Sequence, residues 1–178
     1  MGVAIMDQRP DSNAEVPGAA PPAPMEGPPP ALYQGQPLAS WGSRVGSYLL
    51  DVLFGLLLGV PGGVLVGVGA ASHGGTRVTL VTVGSVLLLI GVIVQVWQTG
   101  WRQGARGQSW GKSVTGLRTV SAETMRPIGG PMGLLRWLVD GLLGMISILQ
   151  LLNYLWPLWD SRRQTWADKV VGSVVLAR

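Results

Sequence analysis

Arg44 and Asp51 are the residues with the clearest capacity for chemistry. From Val45 to Ala71 the only formal charge is Asp51, and Arg44 stands just before that apolar run. Seven residues make close to two helical turns, so the pair shares one helix face, roughly 10 Å apart along the axis. An acid deep in a membrane helix costs at least about 2.5 kcal/mol, so it faces protein or water rather than lipid. Besides a place near the bilayer edge, where the charge costs little, two readings follow. Asp51 is either a structural ion pair or hydrogen bond to a neighbouring helix, or a site for an ion or proton. A second acid, Asp140, lies in another apolar segment. If Asp51 faced it, the two carboxylates could share a proton or a cation, the minimum chemistry for exchange. Arg136 lies four residues before Asp140, however, and on a helix the two would neutralise one another locally. Asp168 and Lys169 lie outside the apolar segments, where a surface charge or a helix cap is the default.

The elements that must position these groups are membrane helices. Charged residues are 12% of the 178-residue chain, well below the usual quarter, and the shortage is concentrated in three long apolar segments. The chain therefore reads as an all-α integral membrane protein with three hydrophobic helical segments and short cytoplasmic β-like segments. The first segment, about Val45 to Ala70, contains Pro61-Gly62-Gly63, which predicts a kink or local unwinding. The second, Val78 to Gln98, carries no charge and is long enough to span about 30 Å. The third, Gly133 to Trp159, is the most polar, with Arg136, Asp140, Gln150, Asn153 and Pro157. A polar link over 72–77, with the single histidine His73, joins the first two. Residues 1–40, rich in Pro, Ala and Gly, read as a disordered cytoplasmic tail with polyproline II character, and 41–178 as the membrane domain. That tail is a spacer or a docking site for a Pro-recognising partner. The first 30 residues lack the apolar core of a cleavable signal, so the first helix is expected to act as its own insertion signal.

Residues 99–132 hold Arg102, Arg106, Lys112, Arg118 and Arg126 against one acid, Glu123, whereas the 72–77 link carries only Arg77. The positive-inside rule puts the basic loop and the N-terminus in the cytoplasm, with a multi-pass chain in the plasma membrane. A repeat then bears on the third segment. Arg106-Gly107-Gln108-Ser109-Trp110, with Val114, Gly116, Thr119 and Val120, recurs 56 residues later. The second copy is Arg162-Arg163-Gln164-Thr165-Trp166, with Val170, Gly172, Val175 and Leu176. Each copy ends in a β-branched run suited to a short strand, and the two strands would pair. They can pair only on one side of the membrane, so the third segment is expected to go in and return, with a break near Gly144 or Asn153, or to lie partly along the interface.

These motifs resemble the RDD family of bacterial membrane proteins, named for an arginine and two aspartates. The likeness covers about residues 39–178. It rests on Arg44-x6-Asp51, on Gly107-Gln108-Ser109-Trp110-Gly111-Lys112 with Gly116-Leu117-Arg118, and on Arg162-Arg163-Gln164-Thr165-Trp166-Ala167-Asp168-Lys169-x2-Gly172. The Pro-rich leader is similar to those on actinobacterial proline-rich antigens that carry this domain. The resemblance implies that the arginine and first aspartate are Arg44 and Asp51, and that the second aspartate is Asp168, with Asp140 the alternative. Where the family often has histidine before that aspartate this chain has Ala167, so no histidine role carries over. The family's proposed activities imply transport of a small ligand or cation/proton exchange. The alternative is a non-transporting structural or partner-recruiting module.

Composition excludes other chemistry. Without cysteine there is no disulfide, thiolate or Cys-based metal site, and one histidine cannot build the usual metal or catalytic sets. The glycine-rich run before Gly111-Lys112-Ser113 lacks the first Walker glycine, since Arg106 stands there, so no nucleotide cofactor is expected. An enzyme is not predicted. The net charge of +4 comes from basic residues flanking the apolar segments and does not indicate nucleic acid. The expected partners are the lipid bilayer and further copies of the chain, because three segments are too few to enclose a polar path. Trp97, Trp101, Trp110, Trp156, Trp159 and Trp166 fit an interfacial aromatic belt.

Overall fold

Leu32–Tyr33 (β1) and Gln36–Pro37 (β2) form the first hairpin of the computed structural model, which describes residues 31–178. The sequence-based expectation for residues 1–30 lies outside the described residues. Residues 31–40, assigned from composition to a disordered tail, are ordered against the rest of the protein. Leu38 bridges Leu176, the Ala39 amide donates to the Val175 carbonyl at 2.9 Å, and the Tyr33 hydroxyl donates to the Ala122 carbonyl at 3.0 Å. These ten residues are ordered by backbone bonds to a later strand and by burial of Leu38 and Ala39, neither of which their composition could reveal.

Two long helices follow. The first, Trp41–Ala70 (α1), is capped by the Ser40 hydroxyl, which accepts from the Ser43 amide. It runs unbroken through Pro61, so the expected unwinding does not occur. The second starts as Gly74–Val96 (α2), continues through a π-helical turn, Trp97–Arg102, and ends in Gln103–Arg106 (α3). Thr76 and Arg77, read as link, belong to α2, and His73 sits at its N-terminus without a side-chain capping bond. The two helices pack closely because glycine faces backbone. A Cβ on Gly84 would lie 2.7 Å from the Gly62 carbonyl oxygen, and one on Gly62 would lie 2.8 Å from that of Gly84. Small residues at such a crossing let backbones approach where no hydrophobic force drives helices together.

These two helices, Trp41–Ala70 and Gly74–Arg106, are long and apolar enough to cross a membrane. Only 11% of the most apolar stretch of each is buried by protein, as expected if lipid covers the rest. The protein is an integral membrane protein with two such helices among the described residues, not three. The third apolar segment is divided into Gly130–Gly144 (α5) and Ser147–Leu155 (α6) by a break at Met145–Ile146, where Ile146 is extended. At 1.5 Å per residue these pieces reach about 22 and 14 Å, short of the roughly 30 Å hydrocarbon core. They pack against each other as a hairpin, one of the two arrangements that the repeat allowed.

The repeat is structural. Trp110–Val114 (α4) and Leu117–Ser121 (β3) form one unit, and Trp166–Val170 (α7) and Ser173–Ala177 (β4) form the other. Every boundary in the second follows its counterpart by 56 residues. β3 and β4 pair antiparallel with Thr119 opposite Val175, themselves 56 apart, so a local two-fold axis relates the units. Matching details recur on both sides. Gly116 (φ 69°) and Gly172 (φ 61°) make the left-handed turn into each strand, which a side chain would oppose. Gln108 Nε2 donates to the Leu117 carbonyl at 2.9 Å, and Gln164 Nε2 to that of Ser173 at 2.7 Å. The strands carry two small hydrophobic clusters beside the membrane helices, Leu38 with Val120, Val174 and Leu176, and Ala39 with Leu117 and Val175. Both units therefore lie on one side of the long hairpin.

Candidate functional site

Asp51 receives α4. Its Oδ2 accepts from the Ser109 hydroxyl at 2.6 Å, and its Oδ1 from the Gly111 amide at 2.8 Å and Gln98 Nε2 at 3.3 Å. Ser109 also caps α4, accepting from the Lys112 amide at 3.3 Å. The landing is close, since a Cβ on Gly111 would collide with the Ser47 carbonyl. Gln98, buried within the second long helix, completes the contact by accepting from the Trp110 amide at 3.1 Å. The carboxylate thus faces the free amides of a helix N-terminus, where negative charge is favoured.

The second unit docks in the same manner on the short hairpin. Asn153 Oδ1 accepts from the Trp166 amide at 2.9 Å, and its Nδ2 donates to Asp140 at 3.0 Å. Asn153 stands to α7 as Gln98 stands to α4, each accepting from the first helical amide and donating to a carboxylate, but Asp140 bonds to Asn153 and Arg136 and not to α7 itself. The expected Arg136–Asp140 pair is present at 3.6 Å. Arg44 does not bind Asp51. Its Nη1 donates to Asp168 Oδ2 at 2.9 Å across 124 residues, and Arg136 Nε donates to Asp168 Oδ1 at 2.7 Å. Asp168 is fully buried and is not a surface charge. It forms a capping box with Thr165 and accepts from the Ser173 hydroxyl at 3.2 Å. Burial would raise its pKa, but Arg136 and Arg44 more than offset that and hold it well below the usual carboxylate range. Lys169 pairs instead with Asp160, which also accepts from the Gln164 amide at 2.9 Å.

Lys112 occupies the position of Asp168 in the first repeat copy, so one unit offers a base where the other offers an acid. It is buried, and burial together with the nearby Arg136 charge brings its pKa down to about 7, against the opposite pull of Asp168 and Asp51. The Gln103 amide is oriented by its neighbours. With its oxygen towards Lys112 Nζ (2.7 Å) and Arg136 Nη1 (2.9 Å), its nitrogen donates to the Thr99 carbonyl at 3.0 Å.

A cavity of about 600 Å³ lies over this cluster, between α1, the end of the second long helix, and the α5–α6 hairpin. Arg44, Asp51, Arg136 and Asp140, all singled out from sequence, line it, while Asp168 ties the two arginines together beside it. Lys112, Gln95, Gln103, Tyr48 and Tyr154 line it too and were not singled out. Lys112 was legible as the repeat counterpart of Asp168. Gln95 was legible as an amide inside an apolar run, and the tyrosines carried no signal. Among the described residues no group of three or more His, Cys, Asp or Glu could hold a metal ion.

Comparison with known proteins agrees with these motifs. The RDD family model matches residues 38–172. The proline-rich antigen of Mycobacterium leprae (strain TN) is 43% identical over 81 residues, 46% of this chain and 31% of that protein. The proline-rich antigen homolog of Mycobacterium tuberculosis (strain ATCC 25618 / H37Rv) is 42% identical over 84 residues, 47% of this chain and 34% of that protein. The chain spans about a third of the length of these curated relatives. No solved structure matches.

Proposed function

The chain belongs to the RDD family, and on that premise we propose that this membrane protein carries a small ligand across the bilayer by way of the charged cavity. The cavity itself is the observation that supports the reading. Arg44, Arg136 and Lys112 crowd one end of a 600 Å³ space. Charges used only to lock helices together would be packed shut, since protein interiors are close-packed and buried pairs need full contact to offset their desolvation. Of the two forms of transport open from sequence, the small ligand is favoured over a cation bound at Asp51. Both oxygens of that carboxylate are already engaged by three donors.

The orientation that goes with this proposal has the basic 99–132 loop, both repeat units and the N-terminus in the cytoplasm of the bacterial inner membrane. Two crossing helices and one shallow hairpin do not enclose a path, so a second copy of the chain completes it. The rival reading is a non-transporting module, for which the structural bonding of Asp51 and Asp168 is the supporting observation.

Flux of candidate solutes into vesicles reconstituted with the purified protein tests the choice. Gly141 lines the cavity, and a Cβ there meets nothing within 4 Å. Gly141→Leu should therefore fill the space without disturbing the fold. Transport requires that flux falls in this variant while thermal stability holds. A wild-type protein without flux for any solute tried, or flux unchanged in Gly141→Leu, would rule the cavity out as the route.

A further inference from the structure

The cavity's unused hydrogen-bonding capacity is on the donor side. Asp51 accepts three bonds, Asp140 is held by Asn153 and Arg136, and Asp168 by both arginines, Ser173 and the Thr165 amide. Asp51 and Asp168 are fully engaged, and Asp140 carries one hydrogen bond and the charge of Arg136 at 3.6 Å. The bases are not fully engaged. Lys112 Nζ has three donors and meets only the Gln103 oxygen, and Arg44 uses one of its three nitrogens, leaving Nε and Nη2 buried without a partner. The sole unpartnered buried side-chain acceptor among the described residues is Gln150 Oε1. Most of the remaining wall is apolar and aromatic, including Trp41, Trp137, Leu151 and Leu155, with Ser47, Gln95, Thr99, Gln150 and Thr165 as its neutral polar members. Its volume lies within the roughly 300–1,000 Å³ of small-molecule sites.

Building on the transport reading, we propose that the cavity takes an amphiphilic anion. One carboxylate or phosphate head lies against Arg44, Lys112 and Arg136, and an apolar tail lies along Trp41, Trp137 and Leu151. A cation would meet three bases and acids already engaged, and a wholly polar anion would leave the apolar wall unmatched. Such a head exists both on anionic bilayer lipids and on free fatty-acid-like amphiphiles. Lys112 makes binding pH-dependent. The groups around it are Arg44, Tyr48 and Asp51 from α1, Arg136 and Asp140 from α5, Tyr154 from α6 and Asp168 from α7. With Lys112 near 7, a rise in pH removes one of three positive charges facing the head.

The test uses the full chain in phosphatidylcholine nanodiscs, with ω-bromo-undecanoate as the probe and quenching of Trp41 and Trp137 fluorescence as the signal. A Trp41→Phe/Trp137→Phe variant identifies the signal from other tryptophans. Saturable quenching is expected, with affinity about tenfold lower for the matching bromo-alcohol, the worth of one charge-assisted hydrogen bond. Affinity should fall between pH 6 and 8 in the wild type. Lys112→Gln should bind about tenfold more weakly at pH 6, with no pH dependence, and Lys112→Arg should bind well throughout. Gly141→Leu should abolish saturable quenching and serves if the Lys112 variants do not fold. Competition by phosphatidylglycerol in the nanodisc identifies a lipid head as the occupant, and its absence a free amphiphile; either result supports the anion site. Equal binding of the alcohol, or tighter binding of the matching bromo-alkylammonium, overturns it. Binding without flux would leave this inference standing and remove the transport reading. Flux without anion binding would do the reverse.

Discussion

Replacing Asp168 with asparagine keeps the size and one acceptor oxygen of the side chain but removes the charge that holds two buried guanidiniums. The carboxylate is fully buried, and the Arg44 and Arg136 side chains are 11% and 12% exposed. Removing one partner of such a buried set costs about 3–5 kcal/mol, because the remaining charges stay desolvated and unpaired. For a chain of this size that is a loss on the order of 10 °C in Tm. The control is Lys169→Gln, which breaks the pair with Asp160. Lys169 is 41% exposed, so solvent screens the pair and the change should stay within about 1 kcal/mol. Thermal unfolding in detergent, followed by tryptophan fluorescence, gives both numbers. The pH dependence adds a second reading. Asp168 has a depressed folded-state pKa, so its contribution is fully present above the unfolded value, about 3.9, and is lost as pH falls below that. Wild-type Tm should therefore decline below about pH 4 more steeply than that of Asp168→Asn. If Asp168→Asn lost no more stability than Lys169→Gln, the three-residue ion cluster would not be what joins α1, α5 and α7.

Other predictions follow from single contacts. Gly84→Ala places a methyl group 2.7 Å from a backbone carbonyl and should cost about 1–3 kcal/mol by thermal unfolding, whereas Gly59→Ala, with nothing within 4 Å, should cost nothing. Asp51→Asn cannot accept all three present hydrogen bonds, so the Trp110–Val114 helix should exchange amide hydrogens faster, by about 1–3 kcal/mol of opening free energy. Unchanged exchange would show that Asp51 does not anchor that helix. In this cysteine-free chain, His73→Cys should react with an impermeant thiol reagent in intact cells, and Thr124→Cys and Ser161→Cys only after lysis. Labelling of Ser161→Cys in intact cells would contradict a cytoplasmic second repeat unit.

Much of the fold can be read from local pattern. The apolar runs and their lengths indicate the long helices, because a membrane span is a one-dimensional property of about 20 successive residues. The repeat went further. A constant offset between two strand-forming runs predicts that they pair, and the pairing requires the third apolar segment to return or to lie along the interface. Its break fell at Met145–Ile146, beside Gly144, while the helix runs on through Asn153, the other expected position. Other features needed the assembled chain. Pro61 does not interrupt α1, because a proline in a membrane helix can be accommodated by its neighbours, and Gly62 beside it serves packing against α2 instead. Residues 31–40 are ordered because the second repeat strand offers them backbone partners and the clusters around it bury Leu38 and Ala39.

The identities of the charged residues were also legible in sequence, since a charge in an apolar run is costly enough to stand out wherever the chain folds. Their partners were not. Sequence spacing sees the helix face shared by Arg44 and Asp51, but a rigid helix rise keeps those two about 10 Å apart. Arg44 instead reaches Asp168, 124 residues away, while Asp51 turns to Ser109 and Gly111. The choice depends on where two short helices land on two hairpins. That landing is decided by which helix amides and buried amide side chains come within about 3 Å of each carboxylate, a relation that exists only once the chain has closed in three dimensions.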